Sequence, residues 1–255
     1  MFDLAIFTAL GWERRAVTEA LRAVEPAGSP RTWSGRLADG ASCLVVQTGI
    51  GPARASAAAA AAPPAGAFLA CGCAGGLVDW LAAGDLVTAE SVIVLEGAGQ
   101  PAERVPAAGA GLAVWAAGRG FRVHAGALVA SPVVLGTAAA KVALGATGAL
   151  AVEMESGALA AAARTRGIPF AALRVVLDGA GEALPAALDV IDEATGEVRA
   201  GGALATIVLR PRLWPAAARL ARRQRLAARR LGAIMAVLEV EALAAPPEAA
   251  IAAGG

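Results

Sequence analysis

Two apolar stretches of the chain each deliver carboxylates. Ala151-Val152-Glu153-Met154-Glu155-Ser156 carries one set, and Arg174-Val175-Val176-Leu177-Asp178 carries another. An Ala-rich segment with helical spacing separates them. Desolvating a charged carboxylate is costly unless it is paired or hydrogen-bonded. In a chain that is 57% hydrophobic, buried acids therefore need a partner or a task, and two of them suggest chemistry on a polar ligand such as a sugar. Other routes are narrower. His124 is the single histidine, so Ser-His-Asp or Cys-His catalysis would rest on it alone. It lies in Phe121-Arg122-Val123-His124-Ala125 at the mouth of a predicted strand and reads as a structural or surface residue. The three cysteines cannot all pair, and Cys71-Gly72-Cys73 is too tight for an ordinary bridge. With one histidine there is no zinc-ligand spacing either. The expectation is buried free thiols in a reducing cytosol, with no metal and no cofactor.

The elements that position these residues alternate between strand and helix. Leu4–Thr8, 43–47 and 67–71 are short apolar runs suited to buried strands, and further strands are predicted at 86–94, 125–130, 149–152 and 170–177. Helices are predicted from Trp12 to Val24, from Pro52 (a residue favoured in a first turn), near 138–146, and over 154–166, the last stopped by Gly167 and Pro169. Runs apolar on both sides, interleaved with helices, predict an α/β fold whose central, largely parallel sheet is covered on both faces. Ligands in such folds bind beyond the carboxyl ends of strands, where Asp178 and two glycine segments fall. The first, Thr48-Gly49-Ile50-Gly51-Pro52, lets backbone amides approach an anion or a sugar hydroxyl at a helix start. Arg54 stands where the dinucleotide fingerprint needs its third glycine, and no Gly-Lys-Ser/Thr ending makes a triphosphate loop. The second segment, Cys71 to Gly76, reads as a flexible loop of the same type.

A chain of 255 residues can bury a full core, and no composition break divides it. The formal net charge of +1 argues against polyanion binding by the chain as a whole, and nucleic acid is not an expected partner. The longest uncharged stretch, Ala55 to Val78, contains Pro63-Pro64 and several glycines, so it reads as helix, turn, strand and loop, not a membrane span. The N-terminus has no basic flank, and Asp3 interrupts its apolar run, which argues against a signal peptide. A cytoplasmic protein is expected, peripheral at the inner membrane face if its basic helix touches lipid.

Several segments, in order, resemble the superfamily of purine nucleoside phosphorylases and nucleosidases. Ala9-Leu10-Gly11-Trp12-Glu13 is similar to the Ala-Met-Glu-Glu-Glu of the methylthioadenosine/S-adenosylhomocysteine nucleosidase branch, with Glu13 at its catalytic glutamate. Thr48-Gly49-Ile50-Gly51 resembles Ser-Gly-Ile-Gly. Gly72-Cys73-Ala74-Gly75-Gly76-Leu77 and Gly84-Asp85-Leu86-Val87 resemble Gly-Ser-Ala-Gly-Gly-Leu and Gly-Asp-Ile-Val. Val152-Glu153-Met154-Glu155 resembles Val-Asp/Glu-Met-Glu, and Arg174 to Asp178 resembles Arg-Ser-Leu-Ser-Asp. Met154-Glu155-Ser156, the Leu-Arg-Val-x-x-Asp run, Ala183-Leu184-Pro185 and an Arg-rich C-terminal segment are most similar to the hopanoid-associated phosphorylases. That family is thought to remove adenine from adenosylhopane, a nucleoside on a triterpenoid lipid.

The resemblance implies a three-layer α/β/α sandwich with a mixed, largely parallel sheet over 1–200, followed by a basic helical extension over 201–245 packed on or beside it and a tail over 246–255. It also implies an enzyme that breaks a ribosyl C–N bond through a cationic sugar. Asp178 would be the general acid for adenine, its pKa raised by its apolar approach. Glu155 would accept hydrogen bonds from the ribose hydroxyls, Met154 would pack beneath the sugar, and Glu13 would orient or deprotonate water. Gly49, Gly51, Gly72 and Cys73 would contact substrate, with Leu135 and Gly136 at the base. Read without the resemblance, Glu13 before Arg14-Arg15 is an exposed first-turn glutamate, Glu153 pairs with an arginine, Asp178 caps a turn and Met154 is core. Ala70 stands where hexameric phosphorylases carry a phosphate-binding arginine, and Cys73 and Leu177 replace serines, so both water and phosphate remain open as nucleophile. A homo-oligomer is implied by the relatives.

From Arg210 to Arg230 lie eight arginines and no acid. On a helical wheel Arg219, Arg222, Arg223, Arg225, Arg229 and Arg230 share one arc, broken by Leu226, while Leu220, Ala227, Leu231, Ile234, Met235 and Leu238 share the other. Such a helix either lies on an anionic membrane or packs on the sheet with a solvated basic face. Three functions follow: cleavage of a lipid-linked adenine nucleoside, a soluble methylthioadenosine-type nucleosidase, or a catalytically silent nucleoside-binding or membrane-docking module.

Overall fold

The computed structural model describes residues 1–29, 31–96, 100–182, 191–192, 197–198 and 214–243. Ala183-Leu184-Pro185, Arg210 and the tail over 246–255 lie outside them. In chain order the elements are β1 (Phe2–Thr8), α1 (Gly11–Ala20), β2 (Arg22–Pro26), β3 (Thr32–Arg36), β4 (Ser42–Gln47), α2 (Pro52–Ala61), β5 (Ala65–Gly76), β6 (Leu86–Glu96), β7 (Gln100–Pro106), α3 (Gly109–Ala117), β8 (Val123–Ala130), α4 (Ala138–Gly145), β9 (Ala151–Glu153), α5 (Ser156–Arg166), β10 (Phe170–Asp178), the short pair β11 (Ile191–Asp192) and β12 (Glu197–Val198), and α6 (Trp214–Met235). A 3-10 turn over Val240–Leu243 follows.

Alternation along β1 explains the layering. Successive strand side chains point to opposite faces. Leu4 and Ile6 enter one apolar cluster with Val17 of α1 and Leu231, Ile234 and Met235 of α6. Ala5 and Phe7 enter another with Ala55 and Ala59 of α2 and Leu159 and Ala163 of α5. A strand apolar from Leu4 to Phe7 is thus covered on both sides, and the fold is the expected α/β type with a mixed sheet between helices. Its parallel heart runs β4–β1–β5–β10. β10 continues antiparallel to β6, β6 parallel to β8, β8 parallel to β9, and β9 returns antiparallel to β5. These five strands close a circuit, while β3 and β2 extend the sheet beyond β4 as an antiparallel edge.

Two expectations are corrected. The helix from Trp12 stops at Ala20, and Arg22–Pro26 turns back as β2 to pair with β3, where an exposed edge tolerates its alternating polar residues. The glycine segment 71–76 is no flexible loop. It is the end of a twelve-residue strand, paired with β10 on one side and with β9 at Gly75 and Gly76. Glycine is needed there because neighbours take the Cβ space. A Cβ on Gly72 would sit 2.7 Å from Glu13 Oε1, and one on Gly76 3.3 Å from the Asp178 carbonyl oxygen. Strands β3 and β7 and helix α3 were not anticipated.

α3 is seated on β6 through Gly109, where a Cβ would overlap the Ala89 carbonyl, beside the register shift between Ala89 and Ser91. Gly109→Ala is expected to destabilise the fold by about 3 kcal/mol, the range for overpacking a closed backbone contact. Chemical denaturation checks this, and an unchanged midpoint would contradict the close seating of α3 on β6.

Candidate active site

The parallel strands β1, β4, β5 and β10 end on the same side of the sheet, and the chain leaving β9 crosses there. Glu13, Glu155 and Asp178, contributed by α1, the start of α5 and the end of β10, line one cavity of about 210 Å³. Met154, Cys73 and Leu135 line it too. Its remaining wall is largely apolar, with Trp12, Ile50, Leu177 and, from α6, Leu220 and Gln224.

Glu13 is 1% exposed, which overturns its reading as an exposed first-turn glutamate. Its Oε2 accepts the N–H groups of Ala9 (3.0 Å) and Leu10 (2.8 Å), and its Oε1 accepts the Cys73 N–H (2.8 Å). The contact to Leu10 is the return half of a capping box. Burial pushes its pKa up, opposed by these backbone donors and by Arg174. Glu155 stands before the first turn of α5. Its Oε1 accepts the Gly51 N–H at 2.9 Å, and its Oε2 lies 3.9 Å from the Arg174 guanidinium. Burial first, and the neighbouring Glu153 charge second, push its pKa up to about 7, while Arg174 and the Gly51 N–H pull it down.

Glu153 makes a buried ion pair with Arg174 and also accepts the N–H groups of Glu155 (3.0 Å) and Ser156 (2.9 Å). It therefore caps α5 from within while neutralising the arginine. Arg174 also donates to Ser156 Oγ at 3.0 Å. Four buried carboxylates (Glu13, Glu153, Glu155, Asp178) thus face two buried cations, Arg174 and Lys141. The surplus of negative charge favours a cationic centre in the cavity.

Asp178 departs from expectation. Instead of a purely apolar surround it has a buried ion pair with Lys141 of α4, which favours the carboxylate form. Lys141 was missed by sequence reasoning. The signal that could have found it is that it is the only lysine in the chain, set in a helix otherwise made of small and apolar residues.

The remaining predicted residues divide. Gly51, at φ +98°, uses its N–H on Glu155, and the Met154 methyl lies 3.8 Å from where a Gly51 Cβ would be. Gly49, at φ +83°, turns the chain from β4 towards α2 without reaching the cavity wall. Gly72 is filled in behind by Glu13 and Arg174, so it makes room for them instead of facing a ligand. Gly136 is exposed, with nothing within 4 Å of a Cβ there, and is not part of the wall. His124 lies on β8 with its ring 4.9 Å from that of Trp80. Among the described residues no cluster of His, Cys, Asp or Glu could hold a metal.

The phosphorylase superfamily model matches residues 3–210. No curated protein matches the chain. Among solved structures, a mutant Helicobacter pylori methylthioadenosine nucleosidase with 5′-methylthioadenosine in its active site is 17% identical, with a TM-score of 0.66, covering 93% of this chain and 100% of that one. The Neisseria meningitidis 5′-methylthioadenosine/S-adenosylhomocysteine nucleosidase with methylthio-immucillin-A is 21% identical, with a TM-score of 0.64 over 93% and 100%. Helicobacter pylori futalosine hydrolase is 19% identical, with a TM-score of 0.65 over 92% and 97%. At such identities the likeness speaks for the fold, whereas the family match runs through the β1, β5, β9 and β10 segments that build the cavity. By that match, this chain is a member of the phosphorylase superfamily.

Proposed function

We propose that the protein cleaves the N-ribosidic bond of an adenine nucleoside, with water as the nucleophile. The observation that carries this reading is the convergence of Glu13, Glu155 and Asp178, from three separate elements, on one apolar cavity. Breaking a ribosyl C–N bond builds positive charge on the sugar and negative charge on the departing purine. Glu155, held by the Gly51 N–H, accepts the ribose hydroxyls and favours the developing cation. Met154 packs beneath the sugar. Glu13, fixed by three backbone N–H groups, takes a proton from water aimed at C1′. Asp178 passes a proton to the purine as the bond breaks.

Water is favoured over phosphate by the charges present. Lys141 is the one cation among the described residues lining the cavity. Its ammonium is already engaged by Asp178 and by the carbonyl oxygens of Gly179 (3.1 Å) and Glu182 (2.9 Å). The position of the phosphate arginine in relatives is Ala70, buried in β5.

The finer substrate is a lipid-linked adenosine of the adenosylhopane kind, with methylthioadenosine as the soluble alternative. Supporting the lipid reading, α6 contributes Leu220 and Gln224 to the cavity wall while exposing Arg219, Arg222, Arg225, Arg229 and Arg230 on another face. No helix among the described residues is long and apolar enough to cross a membrane. Contact would therefore be peripheral, through this basic face of the helix that also walls the cavity.

Adenine release from methylthioadenosine and from adenosylhopane, each with and without phosphate, tests the chemistry. Wild type is expected to release adenine without phosphate, and Asp178→Asn to lose about 10²–10⁴-fold in kcat. Undiminished release by that variant would overturn the assignment of Asp178, and release that requires phosphate would overturn hydrolysis. The pH profile of kcat/KM reports groups of the free enzyme. Because the Glu155 carboxylate is the binding form and its pKa lies near about 7, kcat/KM should fall as pH drops below that value. A profile level down to about pH 5 would contradict the role of Glu155. Flotation with anionic vesicles tests the membrane face, using Arg222, Arg225, Arg229 and Arg230 changed together to Gln. Arg223 is spared because it is held by Glu182 at 2.6 Å. Loss of binding is expected, and undiminished flotation would reject the contact.

A further inference from the structure

Of 22 lysines and arginines, Lys141 is the only lysine, and it is 1% exposed. Everywhere else the chain meets its need for positive charge with arginine, which cannot release its proton, whereas a buried lysine can. The single exception lies against Asp178, the group assigned to protonate the purine. We propose that Lys141 is the proton reservoir of the site: a positioning residue that holds the Asp178 carboxylate and hands it the proton that reaches the leaving base. This rests on the reading of the site given above.

The geometry fits both protonation states of the lysine. As an ammonium it has three donors, directed at Asp178 Oδ2, the Gly179 carbonyl and the Glu182 carbonyl. After one proton moves to Asp178, the amine keeps two N–H groups for the two carbonyls and turns its lone pair to the new carboxylic acid. No buried donor is orphaned by the transfer, so it carries no desolvation penalty of that kind. A nucleoside filling the cavity displaces water, and neutralising an ion pair becomes easier as the surroundings dry. Burial already pushes the Lys141 pKa down. Glu182 opposes this, and Arg223 adds to it. Among the described residues, the charged groups around the amine are Asp178 on β10, Glu182 in the turn after it and Arg223 on α6, whose guanidinium is paired with Glu182.

The proton balance closes. One proton passes from Nζ to Asp178 and then to purine N7 as the C1′–N9 bond breaks and its electron pair stays with the purine. Water adds to C1′ and loses one proton to Glu13. That proton leaves to solvent, and solvent restores the ammonium after the products depart.

The test compares Lys141→Arg with wild type on two substrates, methylthioadenosine and p-nitrophenyl riboside, whose leaving group departs without protonation. Arginine keeps the charge beside Asp178 but holds its proton. Lys141→Arg is expected to lose about 100-fold or more in kcat on methylthioadenosine and markedly less on p-nitrophenyl riboside. Equal loss on both substrates would mark a merely structural pair and overturn the proposal, as would wild-type turnover of methylthioadenosine by the variant. Wild type inactive on both substrates and on adenosylhopane would overturn the function itself and the proposal with it.

Discussion

The constraint on which the site depends is the burial of four carboxylates against two cations. An unpaired buried charge costs several kcal/mol, and removing one partner of a buried pair costs about 3–5 kcal/mol. The structure meets this with backbone donors more than with counter-charges. Glu13 takes three N–H groups, Glu155 takes the Gly51 N–H, and Glu153 takes those at the start of α5 in addition to Arg174. Backbone donors favour a carboxylate without cancelling its charge. The acids are thereby held in place while the cavity keeps the negative surplus that the proposed cationic sugar would need.

That arrangement dictates features of the fold that otherwise look unrelated. Bringing the Glu13 and Arg174 side chains against β5 leaves no space for a Cβ at Gly72, and crossing β9 over the end of β5 draws on Gly75 and Gly76. The circuit of five strands closes at that crossing, so the strand that completes the sheet is also the one that delivers Glu153 and leads into Glu155. Removing glycine from the end of β5 would therefore disturb the acid cluster and the closure of the sheet together.

Legibility in the sequence followed burial. Strands apolar on both faces, such as β1, β4 and β10, announce themselves because nearly all their positions are driven inward. β2 is the edge strand and mostly exposed, and β3 beside it is half-buried with Thr32, Ser34 and Arg36, so neither sequence has such a run. β7 holds Pro101 and Pro106, which argue against a strand everywhere except at an edge. α3 reads Gly-Ala-Gly-Leu-Ala-Val-Trp-Ala-Ala, too uniformly apolar to show a helical stripe. The glycine segment of β5 was misread because glycine serves flexible loops and crowded strands alike, and only the neighbours decide between them. The placement of Glu13, Glu155 and Asp178 around one cavity was implied by the resemblance to the superfamily's motifs, since Glu13 read alone is a surface residue. Lys141 did not, since it lies 37 residues from Asp178 and no local pattern pairs them.

The cation that pairs with Asp178 also explains how the C-terminal helix belongs to the site. Lys141 donates to the Glu182 carbonyl, the Glu182 carboxylate accepts the Gly179 N–H at 3.1 Å, and the same carboxylate takes two hydrogen bonds from Arg223 at 2.6 Å each. Arg223 stands on α6 between Leu220 and Gln224, both on the cavity wall. The turn after β10 is thus tied to the acid's partner on one side and to the helix on the other. Hydrogen bonding from Arg223 first, then the Gly179 N–H and the Arg223 and Lys141 charges, hold the Glu182 carboxyl low against burial, at about 2, so the tie stays ionised across the neutral range. Of the six arginines on the basic arc, one is committed to positioning the wall and five are left to face outward. Two demands are therefore written on one helix: an apolar and polar pair turned to the substrate, and a cationic surface turned away from it.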